Sequence, residues 1–415
     1  MFPVSSRRTF LAATGAAVAA TGLAACGGGS GFDSGSNSGS EGSGSGKLRL
    51  LMAASGDAEA KAVKEAAAAF AEKEGIDVEV IPASDLNQQV AQGFASGDPA
   101  DVFYLTYDSF AGYAENGSIE PYGDKISNVS DFYPALIEAF TYDDKVYAVP
   151  KDFSTLALVI NKKLWEEAGL TEADYPKDWA SLKVAAQKLT TDGRVGLSTS
   201  SEYQRLGVFM AQAGGELVTD GNATANSQEN IDGLTFVKEL LNDGSFKYAA
   251  ELGAGWGGEA FGKELCAMTI EGNWIVGALD ADFPDVEAIY VELPAGPGGQ
   301  GTLQFTNAWG IAADSKNQDA ALKLVEFLTT PEQQMEFAKA FGVMPSLSTA
   351  EEDWKNEYPE MQPFVLGAEY AKNPPVEIGT ADVLSELNSQ LETLKSADPK
   401  TILDATQQNL EAVLG

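Results

Sequence analysis

Short runs of apolar and β-branched residues alternate along the chain with longer stretches in which apolar residues recur every three or four positions. The first pattern is typical of buried strands, and the second is typical of amphipathic helices. In the first part of the chain the two patterns predict strands at 47–53, 78–81 and 101–105, separated by helices at 58–73 and 86–95. This order of strand and helix favours a parallel sheet with helical crossovers.

The same alternation continues to the end of the chain, without an internal repeat of fixed period. The further predicted elements are strands at 155–162, 266–270 and 310–313 and helices at 179–189, 231–241 and 320–329. The predicted fold class is therefore α/β. Because open α/β sheets bind ligands beyond the carboxyl ends of their strands, we expect binding residues at 55–57, 106–108 and 271–274.

Length and charge restrict the function. The 415 residues are enough for about two domains. The 27 Lys+Arg against 61 Asp+Glu give a formal net charge of −34, which excludes a nucleic-acid partner. The chain has no His, which excludes His-dependent nucleophiles and His-ligated metals. We therefore expect no catalytic residue and no cofactor. The acidic segment 280–285 lacks the Gly and terminal Glu of an EF-hand loop, so we also expect no metal site.

The first 46 residues are typical of a targeting segment. Residues 6–11 (SRRTFL) resemble the twin-arginine export signature, and the apolar run that follows is too short to span a bilayer. Residues 23–26 (LAAC) resemble a bacterial lipobox, in which the chain is cut before a lipidated Cys. We therefore expect a signal peptide at 1–25, with Cys26 as the lipidated N-terminus and 26–46 as a Gly/Ser tether. The alternative is that Cys26 is a buried residue of an Ala-rich helix.

Three blocks carry a resemblance to a known family. They are 145–150 (KVYAVP) with 158–164 (LVINKKL), 260–274 (AFGKELCAMTIEGNW), and 308–312 (AWGIA) with 320–329 and the following PEQQ. Together they resemble the bacterial extracellular solute-binding proteins of carbohydrate importers, most closely the maltodextrin-binding branch. Ile160 stands where that family usually has Tyr, and Glu264 where it usually has Gly. The resemblance covers 47–415.

The resemblance implies a two-lobed periplasmic-binding-protein fold of type II, in which each lobe is a sheet flanked by helices. The first lobe would comprise 47–156 plus 306–347, and the second 157–305 plus 348–415. The implied function is that of a monomeric, non-enzymatic receptor, lipid-anchored at the extracellular face of the cell membrane. It would bind a mono- or oligosaccharide in the cleft and deliver it to the permease subunits of an ABC importer. The alternatives are the same scaffold binding a polyamine or other small polar solute, and a glycosidase-like lipoprotein.

A sugar presents hydroxyl groups at its edge and apolar C–H faces, which carboxylates and flat aromatic rings match. The resemblance and the strand-end positions together give eight candidate ligand-binding residues: Asp57, Asp108, Asp152, Glu202, Tyr203, Trp256, Trp274 and Trp309. Asp57 and Asp108 could instead be helix caps or turn residues, and any of the Trp residues could pack in a core. Lys151, beside Asp152, could pair with it.

The other residues that stand out are interpreted as structural. Trp165, Trp179 and Trp354 lie on or beside amphipathic helices, where core packing is the expected role. Cys266 lies within a predicted strand, and we expect a buried, inert thiol.

Overall fold

The computed structural model of the chain describes residues 47–53 and 57–415. The predicted signal peptide, Cys26 and the tether lie outside the described residues. No helix in the described part of the chain is both long enough and apolar enough to cross a membrane.

The strands are β1 (Leu48–Ala53), β2 (Val78–Ala83), β3 (Val102–Thr106), β4 (Thr141–Tyr142), β5 (Lys145–Val146), β6 (Val149–Asn161), β7 (Val195–Thr199), β8 (Val218–Thr219), β9 (Asn222–Ala223), β10 (Phe246–Tyr248), β11 (Cys266–Gly272), β12 (Ala288–Val291), β13 (Thr302–Ile311) and β14 (Ala371–Lys372). The α-helices are α1 (Asp57–Glu74), α2 (Leu86–Ser96), α3 (Tyr107–Glu115), α4 (Pro134–Glu138), α5 (Lys162–Glu167), α6 (Trp179–Leu189), α7 (Tyr203–Ala213), α8 (Gln228–Asp243), α9 (Gly257–Gly262), α10 (Trp274–Asp282), α11 (Gln318–Leu328), α12 (Pro331–Phe341), α13 (Glu351–Glu357), α14 (Gln362–Leu366), α15 (Thr380–Leu391) and α16 (Pro399–Leu414).

One sheet connects most of these strands, in the order β10-β7-β11-β6-β13-β3-β1-β2, with β12 beside β6 and β14 beside β13. The long strand β6 lies in the middle of this order and pairs with strands on both sides. Its residues 149–155 pair with β13, whereas 156–160 pair with β11. We call the part with β1, β2, β3 and residues 149–155 of β6 the first half, and the part with β7, β10, β11, β12 and the rest of β6 the second half.

The parallel arrangement predicted for the first three strands is confirmed, since β1 pairs in parallel with both β2 and β3. The central strands differ from a purely parallel sheet. β13 runs antiparallel to β3 and to β6, and β6 runs antiparallel to β11. Strands β6 and β13 run from one half to the other, so their direction follows from the path of the chain and not from a local crossover helix.

Each half has its own apolar core. The first half buries Phe70 of α1, Trp309 of β13 and Leu324 of α11 in one cluster. The second half buries another cluster that includes Trp165 and Phe209. Side chains from helices on the sheet fill both clusters, which is the layered packing expected of an α/β fold.

The residues interpreted as structural lie as predicted. Trp165 and Trp354 are buried, and the Trp179 ring stacks on Phe236 with 4.4 Å between ring centroids. Cys266 is a buried free thiol, and burial raises its pKa well above the ordinary value.

Candidate functional site

The two halves of the sheet meet beside the N-termini of α3 and α7. Tyr107 opens α3 directly after β3, and its side chain lies close enough to the side chain of Gln204 in α7 for Gln204 to affect its pKa. Burial raises the pKa of Tyr107 to about 12, although the nearby Gln204 and Arg205 side chains act in the opposite direction. The Asn388 amide in turn donates to Gln204 Oε1 at 3.3 Å. Polar side chains of the first half and of the second half therefore meet at this point.

Trp274 lies on the second-half side of this region. It begins α10 immediately after β11, and 37% of its surface is exposed, which makes it one of the few large apolar side chains left open to solvent among the described residues. Its ring meets Phe305 of β13 edge to face, with 5.9 Å between centroids. Gly272 allows the ring to lie close to the strand, because an added Cβ would come within 2.2 Å of Trp274 Cζ3. The position and the exposure of the Trp274 side chain are suited to stacking on a ligand.

The Arg205–Glu271 ion pair contacts the Trp274 indole. Arg205 Nε donates to Glu271 Oε2 at 3.0 Å, Arg205 Nη2 lies 2.9 Å from that oxygen, and Trp274 Nε1 donates to it at 3.1 Å. The Arg205 guanidinium carbon lies 5.0 Å from the centre of the Trp274 ring. Glu271 is fully buried, and burial raises its pKa even though Arg205 and Trp274 lower it. We call Trp274, Arg205, Glu271, Tyr107 and Gln204 the candidate site.

A second ionic cluster lies in the first half. Lys151 is buried and pairs with Asp152 and with Glu59 of α1, the latter at 3.3 Å. Burial lowers the pKa of Lys151, but the two carboxylates raise it more, so its net shift is upward. The Tyr104 hydroxyl donates to Glu59 Oε1 at 3.0 Å, and the ammonium group lies 4.6 Å from the Tyr104 ring centre. The predicted pairing of Lys151 with Asp152 is thus confirmed.

A β-bulge explains why Lys151 turns into this cluster. The register between β6 and β13 shifts between Asn307 and Ala308, which pair with Asp152 and Pro150 respectively. Lys151 is therefore the extra residue of the bulge, and bulges commonly redirect a side chain near a binding site.

The other predicted residues differ in their placement. Asp108 and Glu202 are exposed in the first turn of α3 and at the N-cap of α7, on either side of the Tyr107–Gln204 contact. Tyr203 is buried in the second-half core, where its ring packs on Gly207. The placement favours ligand contact for Asp108 and Glu202 and disfavours it for Tyr203, and for all three the contact stays a prediction.

The two remaining Trp candidates are less open than Trp274. Trp309 is only 1% exposed and packs edge to face on Tyr104 in the first-half core. Trp256 is half-buried at the N-cap of α9, and its ring lies against Gly258. Asp57 provides the first backbone position of α1, next to residues 54–56, which lie outside the described part of the chain. The placement disfavours Trp309 as a ligand residue.

Sequence reasoning did not identify Arg205, Glu271, Tyr107 or Glu59. Glu271 and Tyr107 lie within the strand-end segments predicted to bind ligand, so their position was a usable signal. Arg205 and Glu59 are first-turn helix residues whose partners are distant in the sequence. Among the described residues, no group of three or more His, Cys, Asp or Glu side chains is arranged to hold a metal ion.

Comparison with known proteins agrees with this architecture. The profile of the family described as bacterial extracellular solute-binding protein matches residues 65–363. A maltotriose-binding protein of Pyrococcus abyssi is 26% identical over 360 residues, covering 80% of this chain and 75% of the relative. A diacetylchitobiose-binding protein of Streptomyces coelicolor is 23% identical over 367 residues, covering 84% of each chain.

Solved structures show the same fold. The cyclic α-maltosyl-1,6-maltose binding protein of Arthrobacter globiformis superimposes with a TM-score of 0.78 at 24% identity, covering 89% of this chain and 99% of that one. The sugar-binding protein MalE of Xanthomonas citri gives a TM-score of 0.78 at 20% identity, covering 89% and 97%. The predicted two-lobed fold class is thereby confirmed.

Proposed function

The chain belongs to the bacterial extracellular solute-binding proteins, and we propose that it binds an oligosaccharide between the two halves of its sheet and delivers it to an ABC importer. Members of this family are binding proteins located outside the cell or in the periplasm. The relatives named for maltotriose and diacetylchitobiose support a carbohydrate as the solute.

The observation that carries the proposal is the open Trp274 ring beside the contact between the halves. An indole of this kind offers an apolar face to the C–H surface of a sugar ring. The exposed carboxylates of Asp108 and Glu202 flank the same contact and would accept hydrogen bonds from sugar hydroxyls at the ring edge. This combination of one flat aromatic face and several acceptors is suited to a polyhydroxylated ligand.

The proposal includes the finer features that the sequence indicates. The protein would be a monomer without enzymatic activity, with its first lobe at 47–156 plus 306–347 and its second at 157–305 plus 348–415. It would be held at the outer face of the membrane by lipid on Cys26. Two acyl chains give stable anchoring where one gives only reversible binding.

Isothermal titration calorimetry on the purified protein tests the proposal. The panel contains maltotriose, diacetylchitobiose, galactobiose, raffinose, xylobiose and spermidine. We expect saturable binding of one copy of at least one neutral sugar, and no heat of binding with spermidine. Binding of spermidine without any neutral sugar would replace carbohydrate by polyamine as the solute.

A further inference from the structure

Glu271 and Arg205 form an ion pair directly under the proposed sugar-stacking ring. The carboxylate is fully buried at the end of β11, and both oxygens are closely surrounded. Oε2 accepts from Arg205 and from Trp274 Nε1. Oε1 lies against Gly257, where an added Cβ would come within 2.6 Å of it, and has no hydrogen-bond partner among the described residues. The carboxylate therefore has little freedom to move, and it fixes both of its donors.

Arg205 is the arginine that belongs to the candidate site. Of the other two arginines in residues 47–415, Arg49 pairs with Asp98, and Arg194 lies 4.0 Å from Glu167. A guanidinium beside a sugar site is the usual partner of a ligand carboxylate, because its planar donors match two carboxylate oxygens. Here Nε donates to Glu271 Oε2, Nη2 lies 2.9 Å from the same oxygen, and Nη1 donates to the Gln204 carbonyl at 3.3 Å.

Lys151, the cation of the first-half ionic cluster, is compensated in the same way, since it pairs with two carboxylates. The exposed Asp108 and Glu202 add further negative charge beside the contact between the halves. An acidic sugar would therefore meet repulsion from these carboxylates, while the Arg205 guanidinium of the candidate site is already paired with Glu271. A neutral sugar needs no such cation.

We propose that the Glu271–Arg205 ion pair makes the site selective for neutral over acidic sugars. Glu271 neutralises the guanidinium that would otherwise attract a sugar carboxylate, and the same carboxylate oxygen orients the Trp274 indole. Glu271 is thus a specificity-determining residue that acts through Arg205 and Trp274. This inference rests on the proposed carbohydrate-binding function.

Glu271→Gln tests the inference, because the amide keeps the shape of the side chain and an oxygen acceptor for Trp274 while it removes the charge. The probes are galactobiose against digalacturonic acid, and maltotriose against C6-oxidised maltotriose, each titrated calorimetrically. For the wild-type protein we expect the acidic sugar to bind at least tenfold more weakly than its neutral counterpart. In Glu271→Gln we expect this ratio of dissociation constants to fall by about tenfold or more, since a freed guanidinium makes a charge-assisted bond.

The double variant Glu271→Gln/Arg205→Gln is the matched control, and it should restore the preference for the neutral sugar. A purely structural role of Glu271 would weaken both sugars alike and leave the ratio unchanged, which would overturn the inference. Equal binding of both sugars by the wild-type protein would overturn it as well, whether or not the variants fold. If the wild-type protein binds no sugar at all, the proposed function fails; if only the ratio stays unchanged in the variant, the proposed function stands.

Discussion

Trp274→Ala separates a ligand-binding indole from a core indole. The ring keeps 37% of its surface exposed, and its contacts are the edge of Phe305, the Arg205 guanidinium and one hydrogen bond to Glu271. Removal of an aromatic ring that stacks on a ligand at the centre of a small site costs roughly 1–3 kcal/mol of binding free energy. The dissociation constant for the bound sugar should therefore rise by about fivefold to 150-fold.

The expected effect on folding is smaller than for a buried indole. A fully buried Trp truncated to Ala costs about 3–5 kcal/mol of unfolding free energy. Because more than a third of Trp274 is already in water, we expect a loss of roughly 1–2 kcal/mol, most of it from the lost packing and the lost bond to Glu271. Denaturant unfolding and calorimetric titration on the same preparation measure both quantities.

Trp354→Ala is the matched control. Trp354 is 1% exposed and donates through Nε1 to the Val343 carbonyl at 3.2 Å, so it is an indole of the core. Its truncation should lower the unfolding free energy by about 3–5 kcal/mol and leave the affinity of the folded fraction unchanged. The reasoning is refuted if Trp274→Ala behaves like Trp354→Ala, with a large loss of stability and normal affinity.

Three further predictions concern the buried charges, the anchor and the chemistry. Lys151→Met should lower the unfolding free energy by about 3–5 kcal/mol, because the Asp152 and Glu59 carboxylates are left buried without their cation; a loss below about 1 kcal/mol in urea unfolding would contradict this. Cys26→Ala should move the protein from the membrane to the soluble fraction with unchanged sugar affinity, since the predicted tether separates Cys26 from the candidate site in the sequence. A variant that stays membrane-bound through washing would disprove lipidation. The purified protein should leave its bound oligosaccharide intact over hours, and the appearance of shorter sugars by chromatography would show that it is an enzyme.

The helices that the sequence predicts lie close to their predicted bounds, although α7, α15 and several others were not predicted. The helix predicted at 179–189 has the same bounds as α6, because its apolar spacing is regular and Asp178 caps it by accepting from the Ser181 backbone N–H at 2.8 Å. Helix α1 likewise extends the predicted 58–73 by one residue at each end. These signals are local, so sequence periodicity and caps are sufficient to find them.

Strand β13 shows where local pattern is insufficient. Only its last residues were predicted, because Gln304, Thr306 and Asn307 interrupt the apolar run. In the fold, Thr306 and Gln304 are buried, and their partners are the Asp152 carbonyl and the Asn373 side chain. Those partners are distant along the chain, so the sequence alone gives no reason to expect polar residues in a central strand.

Part of the candidate site could likewise be predicted from sequence position, and part could not. The position of Trp274 beyond a buried strand was visible in the sequence, and its exposure agrees with the prediction. Trp309 was predicted from its place before the returning strand at the predicted hinge, but it lies in a strand with sheet on both sides and packs into the first-half core. The Arg205–Glu271 pair joins residues 66 positions apart, which no local pattern indicates.

The measurement that tests the account most directly is a crystal structure of the protein with the neutral oligosaccharide that binds it most tightly. We predict that one sugar ring lies against the Trp274 indole, between the two halves of the sheet, with hydroxyl groups within hydrogen-bond distance of Asp108 or Glu202. A groove of about 900 Å³ on the second half, lined in part by Lys162, Tyr175 and Tyr290, offers a different location. Sugar bound in that groove, with Trp274 left free, would contradict the central claim.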